Sequence, residues 1–289
     1  MKKIGIMTDS NAGFTMEEAK NLNIHILPMP IIVNQKTYYE GINLNLDTFY
    51  KLQESGADIT TSQPSPGQLL EMWETLLKDY DEIVYIPMTS GLSGSCQSAM
   101  VLSDEFEGKV QVVDNRRISA TQAQSVLDAL VLKNEEKDAS EIKEILENEA
   151  MDATIYISVN TLKYLTKSGR VTPAAAMLGN ALHVVPVMTI QGGKLDAYSK
   201  ARGMKAAYKK MLKALKNDLE TRLKPLYDKN ELVIAMAYTN FDENEIASWK
   251  SILQEEFPND EIINYPLMCC IGAHTGPGAF GIGAVRRHK

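Results

Sequence analysis

Short apolar runs alternate along the chain with longer segments in which apolar residues recur at every third or fourth position. The short runs, bounded by turn-forming residues, predict strands, and the longer segments predict amphipathic helices. The predicted strands cover residues 4–7, 31–33, 83–87, 110–113, 154–159, 184–190, 232–238 and 262–265. The predicted helices cover residues 15–22, 46–55, 66–78, 95–106, 118–133, 140–149, 161–167, 173–182, 204–223 and 243–256.

This alternation of strand and helix is typical of an α/β fold with a mainly parallel sheet covered by helices. The chain has 289 residues, which is enough for two compact cores. A charged stretch at 133–152 interrupts the pattern before a new strand begins. We therefore predict two α/β domains, 1–152 with a mainly parallel sheet flanked by helices and 153–289 packed against it.

Composition narrows the class of protein. The formal net charge of −7 argues against a nucleic-acid partner, because such proteins usually display a basic surface. The three cysteines, Cys96, Cys269 and Cys270, form no C-x-x-C pair, so we expect neither a disulfide scaffold nor a zinc site. The first ten residues are too polar for a secretory leader, and no apolar run approaches the roughly 20 residues of a membrane span. We expect a cytoplasmic protein.

Two loops rich in hydroxyl groups, 60–65 and 89–95, each precede a predicted helix and contain no lysine or arginine. Helix N-termini offer unpaired N–H groups and a positive dipole end, so each loop is a candidate anion site made of neutral donors. A polyphosphate usually also recruits Lys, Arg or Mg²⁺, whereas a carboxylate can be held without them. Helix capping alone would need fewer hydroxyl groups, so we favour a carboxylate-binding site.

The C-terminal segment 274–281 contains a G-x-G-x-x-G match, but it follows no first strand and the chain ends too soon for the acidic partner residue. Nucleotide binding is therefore disfavoured, and the glycines are interpreted as allowing a close approach to a ligand. His274 is the polar neighbour of that ligand, or alternatively a turn histidine that satisfies local backbone. The other histidines, His25, His183 and His288, are too scattered to indicate a metal cluster.

A serine hydrolase is the alternative function. The segment 91–95 resembles a nucleophile elbow, and His274 follows Ser93 in the required order. However, the G-x-S-x-G pattern needs glycine where Ser95 stands. Arg170 and Arg202 lie beside glycines outside the predicted helices, where arginines are usually solvated but also occur as contacts to a protein partner.

Taken together, these motifs resemble those of the DegV family over essentially the full length. The landmarks are residues 8–10, 61–65, 90–94, 162–170 and 274–278. The resemblance implies a protein without catalysis, cofactor or metal of its own that holds a long-chain fatty acid of about C16–C18 in a tunnel between two α/β domains. It further implies that a separate fatty-acid kinase receives the acid's carboxylate. The residues matched are Thr61 and Ser93 for the carboxylate, Ser62 and Gly94 beside them, His274 near the head group, and Arg170 and Arg202 for kinase docking.

Overall fold

The computed structural model describes residues 2–178 and 184–289. Its first sheet is four-stranded and entirely parallel, as predicted. Side chains alternate along these strands, so that Ile4 and Ile6 pack on one face and Met7 on the other. The strands, in spatial order, are β2 (Ile24–Leu27), β1 (Ile4–Asp9), β6 (Glu82–Ile86) and β7 (Val110–Val112).

Helices cover both faces of this parallel sheet, which is the arrangement expected of a doubly wound α/β fold. The face with Ile6 packs against α5 and α6, and the face with Met7 packs against α3 and α4. The helices of this half are α1 (Met16–Leu22), α2 (Leu46–Glu54), α3 (Pro66–Leu76), α4 (Ser95–Ser103), α5 (Ala120–Asn134) and α6 (Ala139–Asn148).

A small antiparallel sheet lies beside this layer and was largely missed from sequence. It consists of β4 (Lys36–Tyr39), β3 (Pro30–Val33) and β5 (Ile59–Thr61), in that order. Only β3 has the uninterrupted apolar character that predicted it. The strand β5 was assigned to a loop because its Ile-Thr-Thr sequence is short and polar, yet it places Thr61 opposite Ile31.

The second half is built on a six-stranded sheet that is mostly antiparallel, so the prediction of parallel pairing is wrong there. Only β11 and β12 run parallel. Two of the four antiparallel pairs arise because the last strand, β13, returns into the centre of the sheet between β8 and β11, and the other two join the consecutive strands β8, β9 and β10. The spatial order is β10 (Asp196–Ala201), β9 (Val185–Ile190), β8 (Ala153–Ser158), β13 (Phe280–Arg286), β11 (Leu232–Tyr238) and β12 (Ile262–Pro266).

One face of the six-stranded sheet packs against two long helices, and α5 contacts β11 and β13 from the first half. The predicted helix at 173–182 begins at Pro173 as expected, whereas Leu182 and His183 lie outside the described residues. The expected α/β class with a second sheet domain is confirmed, and the boundary at 152/153 stays a prediction. The helices of this half are α7 (Lys163–Ser168), α8 (Pro173–Met177), α9 (Met204–Glu220), α10 (Lys224–Tyr227), α11 (Glu243–Glu256) and α12 (Cys269–Thr275).

Within the two described ranges, no helix has both the length and the apolar character that crossing a membrane requires.

Candidate functional site: a cavity between the two sheets

A cavity of about 990 Å³, including the space at its open mouth, lies between the two halves of the protein. Most of its wall is apolar, and polar side chains are confined to a minority of positions. The apolar wall includes Met29, Met88, Leu92, Ile118, Ile155, Ile157, Leu165, Ile190, Leu195, Leu267 and Ile271.

The floor of the cavity is the face of the six-stranded sheet that points away from α9. Two rows of paired residues cross β8, β13 and β11 there, namely Ile157–Gly281–Ala237 and Ile155–Gly283–Ala235. Because residues directly opposite each other share one face of a sheet, the small residues of β13 and β11 form a shallow trough beside the two isoleucines. This trough provides the depth that an elongated apolar ligand needs.

A buried carboxylate fixes the loop that carries Ser93. Asp9, at the end of β1, is fully buried and accepts hydrogen bonds from the backbone N–H of Met88 (2.8 Å) and from Asn11 and Gln122. Burial raises the pKa of Asp9, and these hydrogen bonds oppose that rise. The Thr8-Asp9-Ser10 motif therefore joins the ends of two adjacent parallel strands, and Asp9 itself does not line the cavity.

Beyond Met88 the loop meets the second half of the protein. The Thr89 hydroxyl donates to the carbonyl oxygen of Gly192 (2.9 Å), and a Cβ at Gly91 would lie 2.4 Å from that same oxygen. Position 91 therefore requires glycine, because any side chain there would collide with the backbone at Gly192. Further along, the Ser93 hydroxyl lines the cavity and accepts a hydrogen bond from the N–H of Ser95 (3.2 Å), which leaves its own proton free for a ligand.

Thr61 reaches the cavity from a strand and not from a helix N-terminus. The following helix, α3, has its N-terminus satisfied by a reciprocal capping box between Ser65 and Gln68. The anion-site interpretation of this loop is therefore wrong for α3. At α4 the N-cap residue, Gly94, makes no side-chain cap, and the anion-site interpretation stays a prediction there. Gln63 of the first loop contacts α4, which follows the second loop, through Gln63 Nε2 and Ser98 Oγ, which lie 3.2 Å apart.

His274 approaches Thr61 from the opposite side of the cavity mouth. It lies on α12, whose first N–H groups include that of Cys269, which donates to the buried carboxylate of Glu40. The Nε2 atom of His274 is 2.8 Å from Thr61 Oγ1. Burial, together with the nearby charge of Arg170, lowers the pKa of His274 to about 4, so the ring is neutral at pH 7.

The two arginines singled out from sequence occupy different environments. Arg170 is half-buried and lines the cavity, where its Nη1 donates to the carbonyl oxygen of Ser168. Arg202 is exposed at the end of β10 and does not line the cavity. The expectation of an entirely uncharged head-group site therefore needs correction, since a guanidinium reaches the wall from a turn remote in sequence from both hydroxyl loops.

The structure brings most of the predicted site residues to one cavity. Thr61, Ser62, Ser93 and His274 line it, whereas Gly94 adjoins it without lining it. Ser62 is exposed and donates its hydroxyl proton to the carbonyl oxygen of Gln63. Their roles stay predictions.

Of the three glycines of the C-terminal motif, Gly281 lines the cavity, whereas Gly276 and Gly278 have a different role from the one predicted. A Cβ at Gly276 would lie 2.6 Å from the ring of Tyr164, and a Cβ at Gly278 would lie 2.0 Å from Asn160 Nδ2. Both glycines have positive φ values and neither lines the cavity. They allow the turn after α12 to pack against the segment around α7, which positions His274 indirectly.

Sequence reasoning also missed several polar residues of the wall, among them Asn11 and Ser119. Asn11 follows directly on the Asp9 motif, which was the available signal. Ser119 precedes α5 and looks like an ordinary cap. Nothing local distinguishes it from Ser65, which does act as one.

The fold and the cavity define a class of α/β proteins built of two halves, with a mostly apolar site between them. The family model described as "Uncharacterised protein, DegV family" matches residues 3–287, and the chain belongs to the DegV family.

Individual relatives match over nearly their whole length. A DegV domain-containing protein of Caldanaerobacter subterraneus subsp. tengcongensis is 30% identical over 285 residues, covering 98% of each chain. A structure of a DegV family protein from Thermus thermophilus, described by its fatty acid binding, is 28% identical with a TM-score of 0.87 and covers 98% of this chain and 99% of its own. The structure of DegV, a fatty acid binding protein from Bacillus subtilis, is 27% identical with a TM-score of 0.86 and covers 99% and 100%.

Proposed function

We propose that this protein binds one long-chain fatty acid in the cavity between its halves and carries it without catalysing a reaction. The observation that carries this proposal is that Thr61, Ser93 and His274 line one cavity whose remaining wall is mostly apolar, with Thr61 and His274 in hydrogen-bond contact. Fatty acid binding by the Thermus and Bacillus relatives supports the same ligand class.

The hydrocarbon supplies the affinity in this proposal. Burying about 14 methylenes at about 0.8 kcal/mol each gives roughly 11 kcal/mol of gross transfer free energy before ordering costs. A carboxylate taken out of water without hydrogen bonds would cost several kcal/mol. Donation from the hydroxyls of Thr61 and Ser93 prevents that loss and fixes the position of the head group. A chain of about C16–C18 remains our expectation for the ligand.

The experiment that tests binding is mass spectrometry of the intact protein under native conditions, followed by organic extraction. We expect a mass excess that equals one fatty acid and disappears on extraction. Protein that carries no lipid, and that gains none when incubated with hexadecanoic acid, would contradict the proposal.

A carrier of this kind needs a protein that consumes its cargo, and we propose a separate fatty-acid kinase that converts the presented carboxylate to an acyl phosphate. The exposed position of Arg202 supports a docking role for this residue. Arg170 has a second candidate role, because its place in the cavity wall would let it contact the head group directly. A cytoplasmic location fits both partners and stays a prediction.

The serine hydrolase alternative makes a different prediction at Ser93. In a hydrolase the histidine ring should accept the serine proton. Here Nε2 of His274 faces Thr61, and the described contact of Ser93 Oγ is with the Ser95 N–H. A fluorophosphonate probe should therefore leave Ser93 unlabelled, and covalent labelling there would favour the hydrolase.

A further inference from the structure

The cavity has a second group of polar atoms where α5 begins. Ser119 is the N-cap residue of this 15-residue helix, is only 5% exposed and lines the cavity together with Ala120 and Thr121. An N-cap serine usually accepts a hydrogen bond from the N–H two or three residues later. Ser119 makes no such bond, and its Oγ has no hydrogen-bond partner among the described residues. Its backbone, with φ 55° and ψ −133°, is in a region that favours glycine.

Asn11 contributes an acceptor to the same wall. Its side chain is fully buried, and its Nδ2 donates to Asp9 Oδ1 (3.0 Å) and lies 3.2 Å from the sulfur of Met88. Because both of these neighbours are acceptors, the amide is fixed with its nitrogen toward them. The Oδ1 atom is therefore the free end, and it has no partner among the described residues.

Asn11 and Ser119 lie in the same part of the cavity wall, because the carboxylate of Asp9 joins Asn11 to Gln122, three residues after Ser119. Asp9 Oδ1 accepts from Asn11 Nδ2 and from Gln122 Nε2 (3.1 Å), and Gln122 lies in the first turn of α5. The 3₁₀ turn that contains Asn11 also packs against α5. The wall at the start of α5 thus presents the hydroxyl of Ser119 as a donor, the N–H groups of a first helical turn that has no side-chain cap, and the amide oxygen of Asn11 as an acceptor.

We propose that the start of α5 is a second polar subsite, which binds a hydroxyl group carried on the hydrocarbon of the fatty acid. A hydroxyl can accept from the Ser119 hydroxyl and donate to Asn11 Oδ1, which pairs both of these free side-chain atoms. A plain methylene would leave them unpaired. A second carboxylate is disfavoured, because Asp9 already holds a buried carboxyl group beside the subsite. The ligand class is therefore a hydroxylated long-chain acid, and this inference rests on the proposed function.

The test uses the full-length protein stripped of lipid, with hexadecanoic acid and its monohydroxy positional isomers as probes. In the wild type we expect one isomer to bind about tenfold more tightly than the isomers hydroxylated at neighbouring carbons, as one additional satisfied hydrogen bond predicts. In Ser119→Ala that isomer should lose about tenfold in affinity, while hexadecanoic acid stays within about twofold of its wild-type affinity.

Two results would overturn the subsite. One is a uniform weakening of all the hydroxylated isomers in the wild type. The other is an equal loss for hexadecanoic acid and the preferred isomer in Ser119→Ala, which would place the carboxylate or a water at Ser119. The variant Ser119→Gly serves as the matched control, because it also lacks the hydroxyl but tolerates the positive φ. Both variants should lose the isomer preference.

The same measurements separate this inference from the proposed function. Binding of hexadecanoic acid by the wild type without any preference among isomers would remove only the subsite. Failure of the wild type to bind hexadecanoic acid or any isomer would remove the fatty-acid proposal and the subsite with it.

Discussion

The imidazole of His274 and the hydroxyl of Thr61 form a hydrogen bond that joins α12 of the second half to β5 of the first. Because the ring is neutral at pH 7, only one of its nitrogens carries a proton. If Nε2 carries it, the ring donates to Thr61, and the Thr61 proton can be donated to a carboxylate. A ligand carboxylate at Thr61 therefore favours the tautomer protonated at Nε2.

Replacing both cavity hydroxyls should weaken lipid binding. In Thr61→Val with Ser93→Ala, two donors are lost from a desolvated head-group site, so we expect the Kd for hexadecanoic acid to rise by about 10- to 30-fold. Titration of delipidated protein measures this. Thr60→Val makes the same chemical change at the neighbouring, exposed position of β5 and should leave the Kd unchanged. Equal Kd values for the double variant and the wild type would remove the carboxylate assignment.

His274 should make the protein less stable as the pH falls. The folded-state pKa of about 4 lies below the ordinary histidine pKa of 6.5, so between these two pH values the unfolded chain binds a proton that the native ring does not. The free energy of unfolding should fall by up to about 3 kcal/mol as the pH is lowered from 7 to 4 on account of this residue.

The variant His274→Gln, which keeps a hydrogen-bonding group near Thr61 but does not titrate, isolates this contribution. Urea denaturation of both proteins at several pH values provides the comparison. The stability of the variant should depend less steeply on pH between 6.5 and 4. Parallel curves for the two proteins would show that the ring does not titrate as described.

Asp9→Asn should destabilise the fold and disturb the Ser93 loop. Among the described residues, Asp9 Oδ2 accepts a hydrogen bond only from the Met88 N–H. An amide nitrogen in its place would point its own N–H groups at the Met88 N–H, and these donors would be left unpaired. We expect a loss of about 2–3 kcal/mol in the free energy of unfolding, with lower lipid occupancy. Asp104→Asn, an exposed carboxyl, is the control and should change neither quantity.

Alanine variants of Arg170 and Arg202 should show different defects in a reconstituted assay with a fatty-acid kinase. Arg202→Ala should retain normal lipid content and slow formation of acyl phosphate, because Arg202 is exposed and remote from the cavity wall. Arg170→Ala should lower lipid affinity as well, since its guanidinium lines the cavity. Acyl-phosphate formation at the wild-type rate in Arg202→Ala would remove its docking role.

Filling the trough in the cavity floor should change which acids bind. Ala237→Leu adds bulk to the row Ile157–Gly281–Ala237, so we expect octadecanoic acid to lose at least about tenfold in affinity while decanoic acid changes little. The ratio of the two Kd values is the measurement, and the shorter acid is the internal control. An unchanged ratio would show that the hydrocarbon does not lie in this trough.

Elements with a strong local signal could be predicted from the sequence. Three of the four strands of the first sheet, β1, β6 and β7, followed from short apolar runs, whereas β2 was missed, and α3 begins at Pro66 because Ser65 caps it. The strand β13 could not be predicted, because Gly281 and Gly283 remove the apolar alternation on the face that forms the cavity floor. A Cβ at Gly283 would lie 2.2 Å from the carbonyl oxygen of Thr154, so the requirement for glycine arises from a partner strand that is distant in sequence.

The sequence identified several residues of the candidate site, but it predicted their spatial arrangement less well. Clustered hydroxyls and the family resemblance selected Thr61 and Ser93. The position of Arg170 in the wall depends on how the turn after α7 packs across the cleft. The unpaired state of Ser119 depends on the backbone conformation before α5. Both are tertiary properties with no counterpart in local sequence.

The contact between Gly91 and Gly192 joins the two halves of the protein beside the cavity without lining it. The two backbones touch there, so no side chain could relieve a clash by adopting another rotamer. A side chain at position 91 would therefore force the two halves apart. Gly91 is the position where a single added methyl group would widen the gap between them.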